Sequence, residues 1–294
     1  MARIGRVRIG ISGWRYAPWR GKFYPKGLRQ KDELAHAAGK FPTIEINGTF
    51  YSLQSPENFR RWAEATPKDF VFAVKGPRFI THMLKLARAE QPLANFFANG
   101  MLALGPKLGP ILWQLPPNFR FNPERLESFF KLLPHDTEAA ARLARRHDHR
   151  VKGRTLTTID RKRPLRHAIE IRHDSFRTPD FIALLRRHRI GLVCADTVEW
   201  PLLMDLTADF VYCRLHGSEV LYASGYDDPA LKRWAARVAA WAKGGEPKDA
   251  VRIVAKPAPK RARRDVYVYF DNDAKVRAPV DAERLAELVD PALR

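Results

Sequence analysis

The chain has 294 residues, 45% of them hydrophobic and 29% charged, with 17 Gly and 22 Pro, which supplies a sizeable core and excludes a disordered or collagen-like chain. A balance of 52 Lys and Arg against 32 Asp and Glu gives a formal charge of +20, which favours nucleic acid, anionic lipid surfaces or phosphate-bearing substrates as partners unless the charge is only a solvated outer face. No uncharged apolar run reaches the roughly 18 residues of a membrane span, the start Met1 to Arg8 lacks the apolar stretch of a signal peptide, and Cys194 and Cys213 sit in apolar runs without metal-ligand spacing, so a cytoplasmic chain with neither membrane segment, disulfide framework nor zinc knuckle is expected.

In chain order, strands are predicted at 7–12, 43–47, 70–75, 110–115, 167–172, 191–196, 210–216 and 266–271. Between them, helical patterns cover 30–38, 57–65, 92–104, 123–132, 179–188 and 229–242, and a last one closes the chain at 281–288. Several open with a proline in the first turn behind a capping residue, Ser55, Asn122 or Thr178. Two stretches break the rhythm: 135–164, with a helix-like segment over 138–145 and a basic run from His147 to Thr155, and the Pro/Arg-rich 256–264. Both read as exposed basic loop insertions that could grip a polyanion. Length alone allows two domains. Eight strands alternating with helices, with no linker, predict instead a single α/β domain over 1–294, a (β/α)8 TIM-like barrel with its core at about 7–290. An open doubly wound sheet has the same alternation, because strand order is not written in the sequence.

Strands buried under helices should be apolar throughout, yet several here alternate. Glu45 and Asn47 oppose Ile44 and Ile46, Glu170 and Arg172 oppose Ile169 and Ile171, and Arg214 and His216 oppose Cys213 and Leu215. In the last strand Tyr269, Asp271 and Asp273 oppose Val268, Phe270 and Asn272. The apolar faces must pack on helices, so the polar ones point into the barrel near its C-terminal mouth, where barrel enzymes carry their chemistry. Lys75, Gln114 and Asp196 end three further strands. Glu45, Glu170, Asp196 and His216 are thus candidate proton carriers. Lys75, Arg172 and Arg214 form a candidate anion clamp, with Asn47, Gln114, Asp271 and Asn272 as further substrate contacts. A structural network of buried Glu–Arg pairs is the competing use of the same residues. A divalent metal on the carboxylates with His216, His82 or His173 has no ligand spacing to support it, and His167 reads as structural.

The chain has no P-loop, His-Glu-x-x-His, Gly-x-Ser-x-Gly or post-strand Gly-x-Gly-x-x-Gly, which argues against P-loop NTPases, zincins, α/β-hydrolases and dinucleotide enzymes. Asn47-Gly-Thr49 is a chance glycosylation sequon. The ring- and cation-rich segment Ser12 to Pro25 either stacks a base or sugar over the mouth or packs as a lid anchored by Trp14 and Trp19.

These segments carry a family resemblance. Gly10-Ile-Ser-Gly-Trp14 with Trp19, Gly21 and Phe23-Tyr-Pro25, Glu45-Ile-Asn47 with Thr49-Phe-Tyr51, Phe72-Ala-Val-Lys75 with Thr81-His82, and Leu112-Trp-Gln-Leu-Pro-Pro117 come first. Glu170-Ile-Arg-His173 with Ser175, Arg214-Leu-His-Gly217 with Tyr222 and Tyr226, and Tyr269-Phe-Asp-Asn-Asp273 complete the series. Together they resemble the YecE-like family, domain of unknown function 72, over about residues 8 to 290. The resemblance implies a TIM-like barrel and supplies no activity; Trp14, His82 and Tyr222, which stand in these segments, complete the candidate substrate contacts. By analogy of fold such barrels are comparable to the endonuclease IV and sugar-isomerase barrels, whose full metal-ligand set has no obvious equivalent here. The expectation is an enzyme doing acid/base chemistry on a phosphate-bearing or other anionic substrate, a small molecule or a nucleic acid component. The alternatives are a non-catalytic nucleic-acid-binding barrel and a metal-dependent sugar isomerase or epimerase.

Overall fold

Each run of β-branched and aromatic residues predicted as a strand is one in the computed structural model, which describes residues 5–217, 221–222 and 224–294. The first four residues of the start read above for a signal peptide lie outside these. The strands are β1 (Val7–Ser12), β2 (Thr43–Ile46), β3 (Val71–Lys75), β4 (Leu108–Gln114), β5 (His167–Glu170), β6 (Ile190–Asp196), β7 (Phe210–Leu215) and β8 (Asp265–Phe270). All neighbours pair in parallel and in sequence order. The register running from Val7↔Val266 to Ile11↔Phe270 joins β8 back to β1, so the sheet is a closed barrel and not an open one.

Nine helices lie among the described residues: α1 (Glu33–Lys40), α2 (Gly48–Tyr51), α3 (Pro56–Glu64), α4 (Glu90–Ala98), α5 (Pro123–Leu132), α6 (Thr137–Ala144), α7 (Pro179–His188), α8 (Asp228–Ala242) and α9 (Arg277–Leu288). Ser55 and Asn122 accept the backbone N–H of Asn58 and Arg125, as N-caps do, whereas Thr178 makes no side-chain cap. The helix expected over 92–104 is interrupted. It ends at Ala98, Gly100 turns with φ +107°, and a 3₁₀ segment, Met101–Lys107, continues. Helix α2 is one turn long, too short for a periodic signal. None of the described helices is long and apolar enough to cross a membrane.

Side-chain alternation sorts the core into two clusters. Outward residues such as Trp113, Ile169, Cys194 and Phe270 pack under the helices. Inside the barrel, small or aliphatic Val71, Ala73, Ala168, Val193 and Ala195 face Phe210, Tyr212, Tyr267 and Tyr269. Bulk on β7 and β8 thus fills space that β3 to β6 leave. His167, expected to be structural, is buried with its ring between Trp113 Nε1 and the Pro134 carbonyl. Cys194 and Cys213 are register partners, buried and free.

Both basic insertions run from a helix to the next strand, so their last residues return to the N-terminal end of the barrel; from its base there the first climbs along α4, where Gln91 donates to the Arg146 carbonyl and Leu156 N–H to the Ala98 carbonyl. The first contains α6, packed on α4, and is tied at its base by Leu165 N–H to the His135 carbonyl. The second is anchored by Arg264, which donates to the carbonyls of Gly244 and Gly245 behind α8.

The same substitution at two glycines should have opposite signs. A Cβ at Gly100 would meet Pro56 Cα at 2.3 Å in a left-handed backbone, whereas at Gly39 in α1 it meets nothing. Urea denaturation is expected to show Gly100→Ala losing at least about 1–3 kcal/mol and Gly39→Ala gaining roughly 0.5–1 kcal/mol.

Candidate functional site

The inward residues late in β2, β5, β7 and β8 converge on one guanidinium. Arg214 of β7 is fully buried and pairs with Glu45 of β2 at 3.0 Å, Glu170 of β5 at 2.7 Å and Asp271, just past β8, at 2.8 Å. Its Nη2 also donates to Ser12 Oγ, which itself donates to Glu45 Oε1. The second Glu45 oxygen accepts from Tyr212, and Glu170 Oε1 accepts from Gln114 and Arg172. Burial works to raise the Glu170 and Asp271 carboxyls. For Glu170 the neighbouring Arg214 and Arg172, and for Asp271 Arg214 and His216, outweigh it and hold both below the usual carboxylate range. His216 lies with Nδ1 3.1 Å from Asp271 and Nε2 3.9 Å from Glu170.

Above this floor opens a cavity of about 660 Å³. Trp14, Tyr16, Phe50, Tyr51 and Trp62 form apolar wall, and Asn47, Lys75, His82, Gln114, Arg172, Tyr222, Asp271 and Asp273 bring polar groups to it. Arg172 stacks its guanidinium 4.0 Å over Trp200, donates to Glu170 and Tyr222, and keeps Nη1 without a hydrogen bond among the described residues. Lys75 ends β3 with its ammonium 4.4 Å from the Phe50 ring centre and, among the described residues, no ion pair or hydrogen bond on Nζ. Helix α2 builds this corner: Thr49 donates to the Lys75 carbonyl while Phe50, its neighbour, lies beside the amine.

Burial, then the charge of Arg214, lowers Lys75 to about 8. Burial, then Arg172 and Lys75, lowers His82 to about 4, and burial with Asp271 raises Asp273 to about 6. The cavity therefore holds an amine and a carboxyl that both titrate within two units of neutrality.

The sequence model of the family described as "Protein of unknown function DUF72" matches residues 8–293. This chain belongs to the DUF72 family. It is similar to the UPF0759 proteins YecE of Escherichia coli K12, 31% identical over 43% of each chain, and YunF of Bacillus subtilis strain 168, 30% identical over 38% of this chain and 41% of that one. The matched stretch thus spans under half the length of these curated relatives. Crystal structures of DUF72 proteins from Thermotoga maritima (TM-score 0.69, 22% identity, 96% of this chain and 98% of that one) and Enterococcus faecalis (TM-score 0.67, 18% identity, 96% and 95%) share the fold.

In this DUF72 barrel Trp14, Asn47, Lys75, His82, Gln114, Arg172, Tyr222 and Asp271 line the cavity as expected. Glu45, Glu170, Arg214 and His216 come together directly beneath, enclosed from solvent. Two expectations are corrected. Asp196 shares the face of Leu192 and Cys194, so it points to the helix layer and accepts from Trp234 Nε1 of α8 at 2.9 Å. Asn272 shares the outward parity of Phe270 and donates to Asp281 and the Ser224 carbonyl. The aromatic segment divides: Trp14 reaches the cavity, while Trp19 is buried with Nε1 on the Asp273 carbonyl. Sequence reasoning gave no role to Trp62 or Trp200, and singled out Tyr16 only as part of the segment Ser12 to Pro25. Asp273 carried a usable signal, its parity with Asp271.

Among the described residues no three His, Cys, Asp or Glu side chains converge to hold a metal ion. The mouth carboxylates surround Arg214 instead, so this donor set does not fit a divalent cation.

Because Glu170 and Asp271 have lower pKa values folded than unfolded, the unfolded chain binds more protons in acid. The stability they confer is complete above about pH 5 and is lost as pH falls through the ordinary carboxylate range near 4 and below. Urea midpoints at pH 7, 4 and 3 should fall steadily, with a shallower fall in Asp271→Asn. Arg214→Met, which strands three buried carboxylates, is expected to cost about 3–5 kcal/mol in the same assay at pH 7.

Proposed function

We propose that this DUF72 barrel is an enzyme that carries out acid/base chemistry on a small anionic substrate, bearing a phosphate or carboxylate, in the mouth cavity. Arg172 is the anion-binding group, Asp273 the proton acceptor, and Trp14 and Trp62 the walls. The observation that carries this reading is that a guanidinium whose Nη1 has no hydrogen bond among the described residues and a carboxyl titrating near 6 face the same mouth cavity. Glu45 and Glu170 are committed to Arg214 and serve as the scaffold that orients Arg172. The anion would enter as Arg172 keeps its contacts to Glu170 and Tyr222, so the clamp is preorganised before substrate arrives.

The formal charge of +20 supports a second reading, a barrel that binds nucleic acid. Among the described residues none from either basic insertion lines the mouth cavity, so a polyanion held on the insertions alone would not engage Arg172. The two readings separate in a salt series with labelled DNA and RNA. Duplex binding with a log–log slope of about −0.9 per phosphate contact that weakens in Arg172→Ala would move the proposal to nucleic acid.

For the small-anion reading, a thermal-shift screen with phosphorylated and carboxylated metabolites should raise the wild-type Tm. A ligand at 100 times its Kd adds about 2.7 kcal/mol, and Arg172→Ala should abolish the shift. Once a substrate is found, Asp273→Asn should keep binding but lower turnover by about 10²–10⁴-fold. The wild-type rate should climb as pH rises through about 6, because the working form of Asp273 is the carboxylate. A screen with no shift, or turnover indifferent to Asp273→Asn, overturns the assignment.

A further inference from the structure

The placement of Lys75 asks for an explanation that anion binding does not give. An ammonium whose only task is to grip phosphate gains from hydration and from ion pairing until substrate arrives. This one is largely buried and has no ion pair among the described residues. Its residue is 7% exposed, its Nζ faces the Phe50 ring, and the four carboxylates nearby are turned to other partners: Glu45, Glu170 and Asp271 to Arg214, and Asp273 towards Tyr16. Among the described residues Arg214 is the cation whose charge bears on it, and Arg172 and His82, whose Nδ1 is engaged by Thr81 Oγ1, share its cavity. The backbone is held by Thr49, so the side chain is aimed from the strand end into the cavity. A desolvated amine beside other cations and an aromatic ring is a nucleophile's setting.

We propose that Lys75 is a covalent nucleophile that forms an imine with the carbonyl carbon of the anionic substrate, whose phosphate or carboxylate sits on Arg172. The inference rests on the small-anion reading above and narrows it to aldehydes and ketones. The Nζ lone pair attacks the carbonyl carbon as the C=O π pair moves to oxygen. That oxygen then leaves as water with the two hydrogens of the amine, and a C=N bond replaces C=O. No oxidant, reductant or further reactant is needed. The imine carbon is an electron sink, and Asp273 across the same cavity is the group to take a proton from the adjacent carbon.

The test is reductive trapping of the whole chain at pH 7.5 with glyoxylate as the anionic carbonyl, propionaldehyde as the neutral one and cyanoborohydride as reductant, read by peptide mass mapping. At that pH a lysine titrating near 8 has about 10²-fold more free amine than one at 10.4. Lys75 should therefore be modified at least tenfold faster than any other lysine, with glyoxylate favoured over propionaldehyde. Folded Lys75→Arg should lose that adduct alone, and Arg172→Ala should remove the preference for glyoxylate. Labelling of Lys75 no faster than of surface lysines, in a wild-type map that needs no variant, overturns the inference even where anion binding in the thermal-shift screen succeeds. Fast labelling of Lys75 that is equal for both carbonyls and unchanged in Arg172→Ala leaves the nucleophile standing and overturns the anion reading instead.

Discussion

The mouth of this barrel depends on the burial of one guanidinium among three carboxylates. Taking Arg214, Glu45, Glu170 and Asp271 out of water costs several kcal/mol per ion, and only near-complete pairing offsets it. Arginine can do this where lysine cannot, since its planar fork reaches carboxylates arriving from different directions. Here they come from β2, β5 and the end of β8, strands spread around the barrel. The cluster thereby fixes the relative position of strands that do not touch one another. Ser12, Tyr212 and Gln114 then take up further acceptor positions on the two glutamates.

That arrangement separates structure from chemistry by height within the barrel. At the floor Arg214 and the three carboxylates are spent on one another, and Glu170 also takes Arg172 from the layer above. One layer up, Arg172 is half committed, and Lys75 and Asp273 face the cavity with titration pushed towards neutrality from opposite sides. The cause is shared: walls of Trp14, Phe50 and Trp62 remove water, which raises a carboxyl and lowers an amine. The floor contributes through space, Arg214 lowering Lys75 and Asp271 raising Asp273.

Much of the fold was legible because a barrel strand is a local pattern. All eight strands lie within two residues of their predicted ends, and the inward faces of β2, β5, β7 and β8 follow from simple alternation. The same rule accounts for the two residues that leave the mouth. Asp196 shares its parity with Cys194, and Asn272 with Phe270, and both therefore leave the mouth. Other differences have no sequence signal at short range. Gly100 breaks the helix expected over 92–104 because Pro56, distant in sequence, occupies the space a Cβ would take. Tyr16 and Trp62 reach the cavity from a loop and a helix without a period to mark them.

The sequence by itself determined the strands, their inward faces and the kinds of charge collected at one end, because side-chain alternation depends only on the neighbouring residues. Only the tertiary structure decided which charges meet. Closure of β8 onto β1 brings Asp271 and Glu45 to the same guanidinium, consumes Glu170, and leaves Lys75 without an ion pair among the described residues. Pairing and desolvation are properties of distances between strands remote in sequence, and those distances exist only once the barrel has closed.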